Sequence, residues 1–239
     1  MNTATAHIPA LILCGGTGSR LQPVVSDVPK ALATVAGKPV IHRIFDHLIA
    51  NGIEECVLCT GYMGAMIQKT IGNRYEGLRI MYSHETSPLG TGGAVKKAVE
   101  DLSLAACLVI NGDTLFDYDV REFIEWSVRS EAVATILLTA LDDAQDYGLV
   151  VTDDAHRVLS FQEKPTQPTA GLVNTGVYYF QAVALDDFLS GSTLSMETDI
   201  LPSLVNGRLY ASIVSGAFQD IGTPGRFEAA NKLHESEKG

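Results

Sequence analysis

Several absences narrow the class of this 239-residue chain. Its longest apolar run, Ala132 to Leu141, spans ten residues, where a membrane-crossing helix needs roughly 20. No basic segment followed by a hydrophobic stretch opens the chain, so neither secretion nor a membrane is expected. Positive charge is scarce: 17 Lys and Arg face 28 Asp and Glu, for a net charge of −11. Affinity for nucleic acid comes from clustered cations that release counterions, and these are scattered, so nucleic acid is not an expected partner. Any anionic ligand must be held by a local site.

Cysteine is also sparse. Cys14, Cys56, Cys59 and Cys107 all lie in or beside short apolar runs that read as buried strands, where a free thiol behaves as a small hydrophobe. Such usage fits a reducing, cytoplasmic location. The Cys56-x-x-Cys59 spacing has no second Cys pair or His pair beside it, and residues three apart in a strand face opposite sides. It is not expected to hold a metal.

With 46% apolar residues the chain can bury a sizeable core, and residues 1–239 are expected to form a single domain without repeats or low-complexity linkers. Short apolar runs alternate with helix-like segments: Ala10–Cys14 then Val40–Ala50, Cys56–Thr60 then Met63–Ile71, Leu78–Tyr82 then Ala94–Val99, Ala106–Ile110 then Val120–Val128. This rhythm predicts an α/β fold with a mostly parallel central sheet flanked by helices. Asn51-Gly52 marks a left-handed helix stop after Ala50. Beyond Leu141 the strand-like pieces Gly148–Val151, Val158–Glu163 and Val173–Phe180 are separated by turn residues and predict antiparallel additions to the sheet. Tyr210–Val214, Ala217–Asp220 and a helix from about Thr223 to Leu233 follow.

The phrase Leu13-Cys14-Gly15-Gly16-Thr17-Gly18-Ser19-Arg20 directly follows the first strand, where open α/β sheets place ligands. Glycines there let backbone amides converge on one point, a concavity suited to phosphate oxygens. Arg20, and Lys30 just behind Pro29, could add full charges. The spacing matches neither a P-loop nor the dinucleotide fingerprint. Taken alone, the turn could also be a tight bend without a ligand, and Lys30 a solvated surface residue.

Together these residues resemble the signature of the sugar-phosphate nucleotidyltransferases: a strand, then Gly-Gly-x-Gly-Ser-Arg-Leu, then Pro-Lys. The resemblance continues in order through Ser87-Pro-Leu-Gly90-Thr91-Gly-Gly-Ala, Asn111-Gly-Asp113-Thr, Tyr147-Gly148-Leu, Phe161-Gln-Glu163-Lys164-Pro, Asn174-Thr-Gly-Val-Tyr and Phe218-Gln-Asp220-Ile-Gly-Thr-Pro. Within that family the wording is most similar to D-glycero-α-D-manno-heptose 1-phosphate guanylyltransferases.

The resemblance implies a Rossmann-like, GT-A-like domain, with residues 1–130 mainly binding nucleotide and residues 131–239 mainly binding sugar phosphate. It implies transfer of a nucleoside monophosphate from a triphosphate, GTP in the closest wording, to a sugar 1-phosphate, with release of pyrophosphate. Mg²⁺ is the implied cofactor, held by Asp113 and Asp220, since hard cations take oxygen ligands. Arg20, Lys30 and Asp113 are the implied catalytic residues. Leu13, Gly15, Gly16, Gly18, Arg20 and Lys30, with Glu85, Gly90 and Thr91 at the base, would hold the nucleotide. Gly148, Glu163, Lys164 and Asn174 would hold the sugar phosphate. The implied partners are small molecules, and relatives of this kind are often homodimers or larger homo-oligomers.

Other roles fit the same residues. Asp113 and Asp220 could cap turns or helices, Asn174 could serve turn chemistry, and Glu163-Lys164 could be a surface ion pair. At the level of function, a uridylyl- or cytidylyltransferase acting on a hexose 1-phosphate, or a non-catalytic homologue, would share most of these motifs. Retention of Lys30, Asp113 and Asp220 argues against the last.

Overall fold

A computed structural model describes residues 8–18, 20–21, 24–25, 28–145, 147–162, 167–205 and 207–236. The anticipated alternation forms β1 (Ala10–Leu13), a small antiparallel pair β2 (Thr34–Val35) and β3 (Lys38–Pro39), α1 (Val40–Ala50), β4 (Glu55–Thr60), α2 (Gly64–Ile71), β5 (Arg74–Tyr75), β6 (Leu78–His84), α3 (Gly90–Asp101), β7 (Ala106–Asn111), β8 (Thr114–Phe116) and α4 (Val120–Arg129). The second half supplies β9 (Ala134–Leu141), β10 (Leu149–Thr152), β11 (Val158–Gln162), β12 (Gly171–Gln181), α5 (Leu201–Leu204), β13 (Leu209–Ile213), β14 (Phe218–Asp220) and α6 (Pro224–Ser236).

Among the described residues these strands build one ten-stranded sheet, in the order β11-β10-β12-β7-β1-β4-β6-β5, with β9 also against β12 and β13 against β9. The centre, β7-β1-β4-β6, is parallel. β12 joins antiparallel to β7, β9 and β10, and β13 runs parallel to β9. β1, β4 and β7 read as unbroken apolar runs because both faces of these strands are covered. Ala10 and Ile12 enter one core with α1, α2 and α4, while Leu11 enters the other with α3 and α5. The cysteines divide in the same way: Cys14 and Cys56 face the first core, Cys59 and Cys107 the second. All four are buried and free. Burial pushes the Cys56 and Cys107 thiols up to about 12 and also raises those of Cys14 and Cys59.

α1 stops as its sequence dictates, with Gly52 in the left-handed region at φ +73°. α4 starts on Asp119, whose carboxylate accepts from Glu122 N at 2.8 Å. Two helix starts differ from expectation. α2 begins at Gly64, with Met63 left-handed before it. α3 begins at Gly90 rather than Ala94. Its glycines read as loop by propensity, but Gly92 N and Gly93 N donate to Leu194 O at 2.8 and 3.2 Å, and bulkier residues would keep that backbone away. The segment after β12 also contains short helical turns at Ala182–Leu185 and Met196–Ile200, for which the sequence carried no clear periodic signal.

The parallel strands run outward from β1 to β4 and β6, then return to β7 on its other side. The carboxyl ends of β1 and β7 therefore flank a topological switch point, the place where an open sheet leaves a crevice for a ligand.

Candidate active site

A cleft of about 830 Å³ opens at that point. Leu13, Gly15, Gly16, Gly18 and Arg20 line it from the loop after β1, Glu85, Gly90 and Thr91 from the loop after β6 and the start of α3, and Lys30 and Asp113 from its floor.

The glycine loop is tied to the end of β4: Cys14 N donates to Cys59 O at 2.8 Å and Tyr62 N to Gly15 O at 3.2 Å. A Cβ on Gly15 would lie 2.7 Å from Glu85 Oε1 and 3.3 Å from Gly61 N, so glycine lets this loop pass the Glu85 carboxylate without displacing it. Glu85 Oε2 in turn accepts from Leu89 N at 2.8 Å, which fixes the loop leading into α3. Gly90 sits at φ +72°, and a Cβ there would come within 2.4 Å of Leu194 O.

Lys30 opens a short helical turn, Lys30–Leu32, that follows Pro29 and is anchored by the buried Ala31 and Leu32. The turn aims the Lys30 ammonium at Asp113, with which it forms an ion pair. β8 and β14 pair antiparallel with Thr114 opposite Asp220, and Ile221 N donates to Asp113 O at 3.0 Å. This register brings two carboxylates 107 positions apart in sequence to neighbouring strand ends. Asp220 Oδ1 accepts from Gly222 N, and Asp220 Oδ2 pairs with Arg226 Nη1 at 2.6 Å.

Asp113 and Asp220 are hard oxygen donors, the chemistry a divalent ion takes, and Lys30 and Arg226 are the cations that pair with them here. Among the described residues no group of three His, Cys, Asp or Glu is placed to hold a metal. Two carboxylates with substrate phosphates and water completing the shell is the usual arrangement for Mg²⁺.

The expected sugar-phosphate residues are less gathered. Gly148 and Asn174 do not line the cleft. Asn174 Oδ1 accepts from Gly176 N and its Nδ2 donates to Tyr178 Oη, both at 2.8 Å, so its amide spans the register shift in β12. The turn chemistry held open for Asn174 is therefore present. Glu163 and Lys164 lie outside the described residues.

Two residues enter that sequence reasoning had not singled out. Arg226, in the first turn of α6, holds Asp220 and stacks over the Tyr147 ring at 4.3 Å, which joins Asp220 to the Tyr147-Gly148 element. Its place six residues after Asp220, just past a Gly-Thr-Pro helix start, was the available signal. Glu197 also lines the cleft, from the turn at Met196–Ile200. Nothing in the local sequence distinguishes it from its acidic neighbour Asp199.

The family model for nucleotidyl transferases matches residues 9–237. A D-glycero-α-D-manno-heptose 1-phosphate guanylyltransferase from Aneurinibacillus thermoaerophilus is 39% identical over 224 residues, 93% of this chain and 96% of that one. A mannose-1-phosphate guanylyltransferase from Mycobacterium tuberculosis is 32% identical over 94% of this chain, which spans 64% of that longer protein. A crystal structure of HddC from Yersinia pseudotuberculosis complexed with GMP-PN is similar with a TM-score of 0.84 at 30% identity, covering 95% of this chain and all of that one. With fold, cleft and ordered motifs in agreement, this chain belongs to the nucleotidyl transferase family.

Proposed function

We propose that the chain transfers GMP from GTP to D-glycero-α-D-manno-heptose 1-phosphate, giving the nucleotide-sugar and pyrophosphate. The observation that carries this reading is the meeting of the glycine loop, Lys30 and Asp113 at one strand-end crevice, with Asp220 on the strand paired beside it, in a chain similar over nearly its whole length to a guanylyltransferase for that heptose.

The incoming phosphate oxygen is already a nucleophile, so the protein's work is positioning and charge stabilisation rather than covalent catalysis. The amides of the Gly15–Gly18 loop and Arg20 hold the β- and γ-phosphates. Lys30 stabilises charge at the α-phosphate as the new bond forms. Glu85 offers guanine a carboxylate for its two adjacent N–H donors, beside the Gly90–Thr91 helix start. Gly148, Glu163, Lys164 and Asn174 are assigned to the sugar phosphate. Asp113 and Asp220 would hold Mg²⁺, which when bound supplies Lewis-acid neutralisation of phosphate charge. In this reading residues 1–130 mainly serve the nucleotide and residues 131–239 the sugar phosphate.

Among the described residues no helix is long and apolar enough to cross a membrane. The four buried free thiols support a cytoplasmic location, where both substrates would also be found.

The test is pyrophosphate release with Mg²⁺ from a matrix of GTP, ATP, CTP, UTP and dTTP against heptose, mannose and glucose 1-phosphates. Release confined to GTP with the manno-heptose supports the proposal. Release with GTP and mannose 1-phosphate instead moves the acceptor to the one suggested by the M. tuberculosis relative. Silence across a matrix that works with a known enzyme overturns the reading.

A further inference from the structure

Asn111, the last residue of β7, lies between the cleft and β12. It lines the cleft, and the next residue, Gly112, donates its N–H to Leu13 O at 3.0 Å, which pins this strand end beside β1. On the other side, a Cβ built on Gly176 would come within 2.5 Å of Asn111 Nδ2 and 2.8 Å of its Cγ, so the amide lies directly over the Gly176 backbone. Gly176 is left-handed at φ +76°, and its N–H donates to Asn174 Oδ1 at 2.8 Å. The Asn111 amide is thus where the cleft reaches the Asn174–Gly176 turn. Among the described residues no hydrogen bond engages the Asn111 side chain, and although the residue is half-buried both of its polar atoms stay accessible.

Sheet order separates this amide from the base. Asn111 ends β7 and Glu85 follows β6, with β1 and β4 between them, three strand spacings or about 14 Å at the usual interval. A nucleotide whose base meets Glu85 and whose phosphates cross the glycine loop after β1 leaves Asn111 beyond it, on the β12 flank. The acceptor carries its phosphate on the anomeric carbon. With that phosphate beside Lys30 and Asp113, the sugar atoms nearest the end of β7 are the ring oxygen and the hydroxyl on the carbon next to the anomeric one. A ring oxygen only accepts, whereas a primary amide offers both donor and acceptor, which a hydroxyl matches in full.

We propose that the Asn111 amide hydrogen-bonds the hydroxyl next to the anomeric carbon of the acceptor sugar, making Asn111 a specificity-determining residue for the sugar 1-phosphate. The assignment rests on the nucleotidyl-transfer reading above. The pairing of Ile110 with Val177 and the close approach to Gly176 hold the amide in advance, so little freedom is lost when the sugar arrives.

The experiment compares wild type with Asn111→Leu, which keeps the volume, and Asn111→Ala, which adds no bulk against Gly176 and keeps the test open should the first variant misfold. Acceptors are the productive sugar 1-phosphate and analogues that each lack one hydroxyl. Wild type should disfavour the analogue missing the hydroxyl next to the anomeric carbon by about 3–10-fold in kcat/KM, the range for a hydrogen bond between neutral groups. Both variants should lose that discrimination for this analogue only, raise the sugar 1-phosphate KM by a similar factor, and leave the nucleotide KM within about twofold. By calorimetry, they should weaken binding of the nucleotide-sugar product while sparing the nucleoside diphosphate. A raised nucleotide KM with unchanged sugar selectivity would assign the amide to the nucleotide and overturn the proposal. Equal losses for every analogue would also overturn it, leaving Asn111 as packing for Gly176. Absence of transfer by wild type would instead defeat the underlying reading, so the two failures are distinguishable.

Discussion

Lys30 and Asp113, 83 positions apart in sequence, form an ion pair at the floor of the cleft, joining the turn after Pro29 to the β7–β8 junction. Neither charge is left alone in this partly buried place, where an uncompensated ion would be costly. The pair fixes the ammonium at the lining of the cleft.

Lys30→Ala is expected to lower kcat by about 10²–10³-fold while changing either KM by less than about threefold, because a contact that strengthens as charge develops acts on the transition state. Steady-state pyrophosphate release checks this. An effect confined to KM would make Lys30 a binding residue only.

Asp113→Asn and Asp220→Asn should each raise the Mg²⁺ concentration for half-maximal activity by about tenfold or more, since each removes one anionic ligand from a site with few others. Mn²⁺ binding followed by electron paramagnetic resonance in the presence of nucleotide gives a readout independent of turnover. Metal dependence identical to wild type in either variant would remove that residue from the site.

Gly90→Ala should destabilise the protein by about 1–3 kcal/mol, because it combines a left-handed backbone with a close approach. The new Cβ would press on Leu194 O and push the Ser195–Glu197 turn away from α3. Thermal unfolding measures the loss, and the nucleotide KM should rise with it.

His47 is held below the ordinary imidazole value of 6.5 by burial, partly opposed by Asp117 and Asp119. The unfolded chain therefore takes up this proton first as pH falls. Stability from this source is unaffected above 6.5 and declines from there down towards the lowered folded value. Unfolding temperature measured between about pH 7 and pH 5 should fall less steeply in His47→Gln than in wild type. Parallel slopes would assign the acid sensitivity to other groups, such as His42, which is lowered in the same way.

Much of the architecture was legible in the sequence because it depends on local periodicity. The unbroken apolar runs of β1, β4 and β7 and the amphipathic Val40–Ala50 helix carry their own signals, and all four appear where they were read. The glycine loop after β1 was legible as well, since ligand crevices recur at such strand ends. The start of α3 was not, because its glycines gain their helical state from contact with Leu194, about a hundred positions away. Asn174 showed its limits too: either role was open in the sequence, and only the geometry revealed the bonds to Gly176 and Tyr178.

Residue types and their order could be read along the chain alone: a glycine loop, a lysine behind proline, two aspartates at strand ends, and a family resemblance built from them. Tertiary structure alone decided which of them meet. The β8–β14 register set Asp220 beside Asp113, the end of β7 brought Asp113 to Lys30, and α6 laid Arg226 between Asp220 and Tyr147. Glu197 joined the cleft only because the chain after β12 folds back onto α3. The physical reason is that propensity and periodicity act over a few residues, whereas a site is a coincidence of distant strand ends that only sheet register and core packing can enforce.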